Sequence, residues 1–547
     1  MHTDRENPRV AYFCMEYGLN EELKIYSGGL GILAGDCLKS AYEMNRPVIG
    51  IGILWQQGYT NQYIGEDGKP YDVFCDNHYN FLKDTGVKVT VEIQNRPVTC
   101  KVWLVDKYQN APLYLLDTNL PENGGYNVTK QLYGGTCEDR IAQEIVLGIG
   151  GVRALRALGI KIDVYHFNEG HAVLAGLELI KEYMERYKVS FNQAWQAIRQ
   201  KIVFTTHTPV LAGNESHDHQ LLKAMGAYNG FTYEQMKQIG GEPFCMTVAG
   251  LHLSRIANAV AQLHKETALK MWKYYSQSAP IIAVTNGVHP GTWQDPEIPL
   301  CVYSESKLWD RHQQNKKNLI NEIAARTGVT LNLDSLLVGF ARRAASYKRG
   351  DLIFRQVRVV EKYLQAGKIQ LVFSGKAHPQ DFYGKEMVAN IVRMCRNFPQ
   401  SVVFLENYDM AIARLLTRGC DVWLNNPRRP LEASGTSGMK AAMNGVLNLS
   451  TLDGWWPEGC QHGVNGWQIG SACEGPDQDY HDLVSLYQVL LGEVVPTYYW
   501  NRKQWIKMMQ ASIAMSRHFT SHRMLDEYYR LLYANAPAES NEYLLWA

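Results

Sequence analysis

Short apolar runs, each followed by a polar loop and then a helical pattern, constrain this chain more than any other feature. Such an order permits parallel strands joined through helices and little else. The first run, Val10 to Met15, leads through Glu16, Tyr17 and Gly18 and the loop Tyr26 to Gly31 into a helical pattern ending near Met44. Val48 to Leu54 is the next strand. Gly29, Gly31 and Ala34 form a GxGxxA string, but no acidic residue ends the following strand to hold a ribose, so dinucleotide binding is rejected. The glycines instead suit close approach of the backbone to an anion or a sugar.

Between Tyr59 and Leu116 apolar and polar residues alternate, as in Val89 to Ile93, and predict antiparallel strands inserted in this first domain. Glu138 to Leu158 predicts a long amphipathic helix in which Gly148, Gly150 and Gly151 are close-packing positions. Val164 to His171 and Ile202 to Pro209 each read as a buried strand ending in polar residues. Ligands bind outside such carboxyl ends, so His171 and His207 are cleft candidates, a structural role being equally compatible. His217 and His219 have no nearby residues that complete a ligand set, and no metal is expected. A helix is predicted over Thr247 to Met271, carrying Arg255 and Asn258, then a strand at Ile281 to Val284. The turn Thr285 to Pro290 is taken as the hinge.

The alternation restarts at Leu336 to Ala341, with further strands at Gln370 to Ser374, Val402 to Leu405, Val422 to Leu424 and Val446 to Leu449. The fold class is therefore α/β, with two Rossmann-like, doubly wound domains. The boundaries are 1–290 and 291–500, followed by a helical segment over 501–547. A chain of 547 residues exceeds the ~250–300 at which single cores stop growing, in keeping with two domains. Lys and Arg number 55 against 54 Asp and Glu, which excludes a nucleic-acid or membrane partner held by bulk charge. Any anion needs a local cluster. Arg342, Arg343, Lys348 and Arg349 supply one, at a strand's carboxyl end. The 11 cysteines show no CxxC pair and suit a reducing cytoplasm, and no stretch approaches the ~18 apolar residues of a membrane span.

The densest chemistry lies in Arg429 to Trp456. Glu432 is followed by Ala433, Ser434, Gly435, Thr436, Ser437 and Gly438, and then by helix formers from Met439 to Met443. A small-residue run before a helix offers unpartnered N–H groups to an anion such as a phosphate. Lys440, in the first helical turn, gains nothing from the dipole there. Condensation with the aldehyde of pyridoxal phosphate would account for it. An ordinary phosphate-loop lysine, or a surface lysine in a Gly/Ser turn, is compatible with the same residues.

Taken together, Arg342 to Arg349, Asn286 and the run from Glu432 to Lys440 resemble the α-glucan (glycogen and maltodextrin) phosphorylase family of the short bacterial type, over nearly the whole chain. The resemblance implies two Rossmann-like domains facing across a cleft, as in GT-B type glycosyltransferases, and a C-terminal helical segment that packs back on the first domain. It implies release of glucose 1-phosphate from an α-1,4-glucan by orthophosphate with retained configuration, and pyridoxal 5'-phosphate as cofactor. Lys440 matches the lysine that carries the cofactor. Thr436, Ser437, Arg342 and Lys348 fall around the cofactor phosphate, and Tyr408 and Trp293 line its pocket. Arg343 matches the arginine on the substrate phosphate, with Gly28, Gly29 and Leu30 supplying backbone donors. Glu432, Ser434, Gly435 and Asn286 match contacts to glucosyl hydroxyls, His207 is placed with the substrate contacts, and Arg255 stands where other members have a sugar-contacting histidine. N-terminal regulatory elements of the larger members are expected to be missing. Glucan length, oligomeric state and regulators stay open, a homo-oligomer being possible. A sugar-nucleotide glucosyltransferase of the glycogen synthase kind is the alternative that leaves Lys440 without a role, and a catalytically silent glucan-binding protein is a third.

Overall fold

The computed structural model describes residues 7–210, 213–471 and 474–534. They form two compact units. Residues up to 59, 75–285 and those from 521 on make the first, and 60–74 with 286–520 make the second. Among the described residues no helix is long and apolar enough to cross a membrane, and ten cysteines are unpaired. Cys473 lies outside the described residues.

In chain order the strands up to the change of unit are β1 (Val10–Phe13), β2 (Val48–Ile53), β3 (Asn61–Ile64), β4 (Pro70–Val73), β5 (Lys83–Ile93), β6 (Arg96–Val105), β7 (Leu113–Asp117), β8 (Val164–Asn168), β9 (Ile202–Thr205), β10 (Ser216–His217), β11 (Phe244–Cys245), β12 (Ile256–Ala259) and β13 (Ile281–Ala283). The first unit's main sheet has the order β13-β12-β9-β8-β1-β2-β7-β6-β5. Pairing is parallel from β13 to β7, and β6 and β5 close the edge antiparallel. Every residue of β1, β8 and β9 is buried, as strands covered on both faces require. Counted among the parallel strands alone, the order runs 3-2-1-4-5-6-7 and reverses between β1 and β8.

The second unit's sheet is β16-β15-β14-β17-β18-β19, all parallel. Its strands are β14 (Leu336–Ala341), β15 (Ile369–Ser374), β16 (Val402–Leu405), β17 (Val422–Asn425), β18 (Leu447–Thr451) and β19 (Gly466–Ile469). This is the doubly wound order 3-2-1-4-5-6, reversing between β14 and β17, and the reversal is where such sheets bind ligands.

Four expectations change. The predicted helix Thr247 to Met271 is two helices, Met246–Leu253 and Gln262–Trp272, with β12 between them. Ala257, Asn258 and Ala259 pair with β9 and β13, so ladder hydrogen bonds override the helical spacing of the flanking residues. The β3–β4 hairpin belongs to the second unit rather than the first. Asp72 accepts from Lys385 at 2.6 Å, and Ile64 N–H donates to Glu406 at 2.9 Å. The long helix from Glu138 contains a π turn, Val146–Gly150, where a Cβ on Gly148 would lie 2.6 Å from the backbone nitrogen of Ala175. Lastly, helix Arg502–Ser516 packs Met508, Met509 and Ile513 into the second unit's core. The return to the first unit starts at Ser521 instead of 501. There Met524, Leu525, Tyr528 and Tyr533 are buried, Ser521 bonds Ser40 at 2.6 Å, and the Tyr533 hydroxyl meets His166 Nδ1 at 2.7 Å.

Candidate active site

In the second unit, β14 ends in the cation-rich loop, and the fold gives its four cations three different tasks. Arg342 Nη2 and Lys348 Nζ both donate to Oε2 of Glu432 at 2.5 Å. Arg343 is exposed. Arg349, counted in sequence with the anion cluster, is instead buried: it holds the carbonyls of Asn426 and Pro427, at 2.8 and 2.9 Å, together with Asp479 and Asp482. It fixes the loop after β17 and is not free to meet an anion.

Burial, with Arg342 close by, pushes the Lys348 ammonium down to about 7, Glu432 opposing. Against the burial that would raise it, Arg342 and Lys348 hold Glu432 below the usual carboxylate range. Arg342 keeps two further N–H groups, Nε and Nη1, buried and without an acceptor. Such groups carry a desolvation cost of about 1–3 kcal/mol unless a ligand answers them.

Glu432 opens the small-residue run. Gly435 has φ +81°, a conformation that favours glycine, and Ser434 Oγ is buried without a partner. Thr436 precedes helix Ser437–Ala442, and Trp423 Nε1 donates to Ser437 Oγ at 3.1 Å. Lys440 is buried, with Nζ 3.6 Å from the centroid of the fully buried Trp293 ring. Trp293 is anchored in turn, its carbonyl accepting from Arg418 and Asn444 at 3.1 Å each. Tyr408 packs on the cluster that holds Trp423 and Ala441, and its burial pushes the phenol up. Asn286 is buried in the turn after β13. The fold thus brings Arg342, Lys348 and Glu432 into one contact, and Lys440 and Trp293 into another.

In the first unit the glycine loop is organised by Glu16, which sequence reasoning passed over. Its Oε2 accepts Ser27 N–H at 2.6 Å and Gly28 N–H at 3.2 Å, and the Tyr133 hydroxyl donates to Oε1 at 2.8 Å. Helix Gly29–Glu43 follows, and a Cβ on Gly28 or Gly29 would meet no atom within 4 Å, so this face of the loop is open. His207 lies past β9, with Nε2 2.7 Å from Asn168 Oδ1, and burial pushes its pKa down to about 3. It is a neutral ring at physiological pH. Glu169, also missed, follows β8 at φ +77°, ψ 166°, a region nearly confined to glycine. It accepts the N–H groups of Gly170 and His207 at 3.0 and 2.8 Å. An Asn-Glu-Gly step at a strand's carboxyl end was the available signal.

Two further readings need correction. Arg255 donates to the carbonyls of Leu532 and Ala534, so its guanidinium clasps the returning C-terminal segment instead of facing a sugar. Around His217 the fold does gather carboxylates: Glu144 and Glu215 lie within 4.8 Å of it. Arg140, 2.8 Å from Glu215, already supplies the group with a positive charge.

A family model described as carbohydrate phosphorylase matches residues 303–458. The maltodextrin phosphorylase of Thermococcus litoralis is 39% identical, over 97% of this chain and 71% of that protein. This chain belongs to the carbohydrate phosphorylase family. The glycogen phosphorylase of Aquifex aeolicus is 34% identical, over 97% of this chain and 87% of its own. An uncharacterized protein of Methanocaldococcus jannaschii is 35% identical, over 96% and 99%. Membership makes the protein a glycosyltransferase of the phosphorylase type, the class that its sequence predicts. The family model covers the cation loop, Glu432 and Lys440, and leaves Asn286 outside the matched residues.

Proposed function

We propose that the protein cleaves the terminal α-1,4-linked glucose of glycogen or maltodextrin with orthophosphate, releasing glucose 1-phosphate, and that it does so with pyridoxal 5'-phosphate on Lys440. The observation that carries the reading is the buried pair Arg342 and Lys348 on Glu432, with two N–H groups of Arg342 still unanswered. Donors of that kind fit a phosphate, and the buried amine of Lys440 over Trp293 fits an aldehyde. When bound, the cofactor supplies that aldehyde and a phosphate able to exchange a proton with the substrate phosphate.

This chain's residues do the rest. Arg343 binds the substrate phosphate, and the N–H groups of Gly29 and Leu30 are the anion donors of the glycine loop, that of Gly28 being already held by Glu16. Lys348 offsets charge where two phosphates meet, and its lowered pKa lets it give or keep a proton near neutrality. Thr436, Ser437 and Arg342 hold the cofactor phosphate, and Tyr408 and Trp293 line the cofactor pocket. Asn286, Glu432, Ser434, Gly435 and His207 hold glucosyl hydroxyls. Glu432, clamped by two cations, is poorly suited to be a general acid, which weighs against hydrolysis by a carboxylate pair. Ten unpaired cysteines among the described residues support a reducing compartment such as the cytoplasm.

The test is an assay of maltooligosaccharide with orthophosphate, run beside UDP-glucose and ADP-glucose, with borohydride reduction and peptide mapping. Glucose 1-phosphate and a modified Lys440 are expected. Transfer from a sugar nucleotide without phosphorolysis would replace this reading with that of a synthase, and inertness with both donors would leave a glucan-binding protein.

A further inference from the structure

Behind Glu432 lies a second buried carboxylate that no step above uses. Asp453 follows β18 and is 3% exposed. Its Oδ2 accepts the N–H of Glu432 at 2.9 Å, and its Oδ1 accepts that of Gly454 at 2.8 Å. One residue further, Trp455 N–H donates to the Ser434 carbonyl at 2.9 Å. Residues 432–434 are therefore tied to 453–455 at both ends. Between the ties Gly454 has φ +59°, and a Cβ there would lie 2.3 Å from Ser434 O and 3.0 Å from Glu432 Cγ. Only glycine lets the two backbones approach so closely. Arg429 adds a tie from its guanidinium to the Leu452 carbonyl, ahead of Asp453.

On the phosphorylase reading of this site, we propose that Asp453 is a positioning residue. It fixes the main chain of Glu432, and through it the point at which Arg342 and Lys348 are held. A neutral side chain of the same size would do this less well, because an amide presents one acceptor where two N–H groups converge. Asp453 itself touches no substrate atom, and hydrogen bonds from a group such as Glu432 to glucosyl hydroxyls strengthen in the transition state, so the loss of Asp453 should be felt more in turnover than in substrate binding.

Asp453→Asn, in the full-length protein loaded with cofactor, keeps the shape and turns one acceptor toward an N–H as a donor. Turnover should fall about 10- to 100-fold, with KM for glucan and for phosphate within about threefold and cofactor content unchanged. On a Glu432→Gln background the same change should cost less than about threefold, because residues that act as a unit are not additive. An equal loss on both backgrounds is what a merely structural role gives, and it would overturn the proposal. So would normal turnover, or a loss confined to KM. Should Asp453→Asn fail to fold, Asp453→Glu, which retains both acceptors, goes through the same cycle, and the same results support or overturn the proposal. Failure of the unaltered protein to perform phosphorolysis at all would remove the underlying function, and this proposal with it, so the two failures are told apart.

Discussion

Past β1 the first unit offers a glycine loop shaped by Glu16, and past β9 a neutral His207, whereas the second offers Arg342 and Lys348 on Glu432, with Arg343 exposed in the same loop. The two sheets share their winding, so the contrast resides in the loops. A doubly wound sheet decides where a ligand can lie, and the first loop after its central strand decides which charge it meets. One device is common to both. In each unit a buried carboxylate accepts two backbone N–H groups and sets the shape of the ligand loop: Glu16 for Ser27 and Gly28, Asp453 for Glu432 and Gly454.

The sharpest way to break the contrast is to remove the exposed arginine of the cation loop. Arg343→Gln should lower phosphorolysis by about two orders of magnitude, since losing one partner of a charge pair that the bound phosphate desolvates costs roughly 2–5 kcal/mol. Reduction with borohydride should still label Lys440 in that variant. Near-normal turnover at low phosphate, or loss of the cofactor, would reassign the two anion sites.

A second test uses pH. Burial, and then the charge of Glu432, push Asp453 up to about 7, above the ~3.9 of an unfolded aspartate. The proton it holds stabilises the fold fully below about pH 4, and that contribution disappears as pH rises through 7. Asp453→Asn lacks it. Denaturant titrations should therefore show the unaltered protein losing roughly 1–3 kcal/mol more than the variant between pH 5 and 7. Parallel curves would mean that the carboxyl titrates normally.

In the first unit the effect should be milder and purely one of access. Gly29→Ala adds a methyl where nothing lies within 4 Å, so the fold should keep its stability while KM for phosphate rises about tenfold. Gly35→Ala is the control. Its Cβ would sit 2.0 Å from the Gly18 carbonyl, an overpacking that costs about 1–3 kcal/mol or more. Unchanged phosphate kinetics in Gly29→Ala would take the glycine loop out of the anion site. The smallest effect is expected at Arg255, whose replacement by Ala should leave turnover within about twofold and speed hydrogen exchange in residues 521–534. A large rise in KM for glucan would restore Arg255 to the substrate.

The strands at Leu336 to Ala341 and Val402 to Leu405 were legible to the residue, because each is an uninterrupted apolar run bounded by polar loops. The site's second half was legible for a related reason: Glu432 to Lys440 is contiguous, so its chemistry does not depend on folding to be assembled. What escaped depends on which distant segments meet. Ile256–Ala259 becomes a strand only beside β9 and β13. Arg349 and Arg255 look like ligand cations until Asn426, Pro427, Leu532 and Ala534 bring carbonyls to them. Asp453 looks like part of a turn until Glu432 arrives.

The late return of the chain to the first unit has a consequence for how the protein is made. Met524, Leu525, Tyr528, Tyr529, Leu532 and Tyr533 complete a core whose other residues all precede Asn286. A ribosome adding roughly 5–20 residues per second needs on the order of tens of seconds to cross the intervening 286–520. Throughout that interval the nascent first unit carries an apolar surface with no cover, His166 lacks its tyrosine, and Arg255 lacks its carbonyls. Each fully buried side chain of this kind contributes about 1.5–3 kcal/mol before entropy is counted. The growing chain is thus most exposed to aggregation while residues 286–520 are being synthesised, and the turns from Ser521 to Tyr533 act as the latch that ends the exposure.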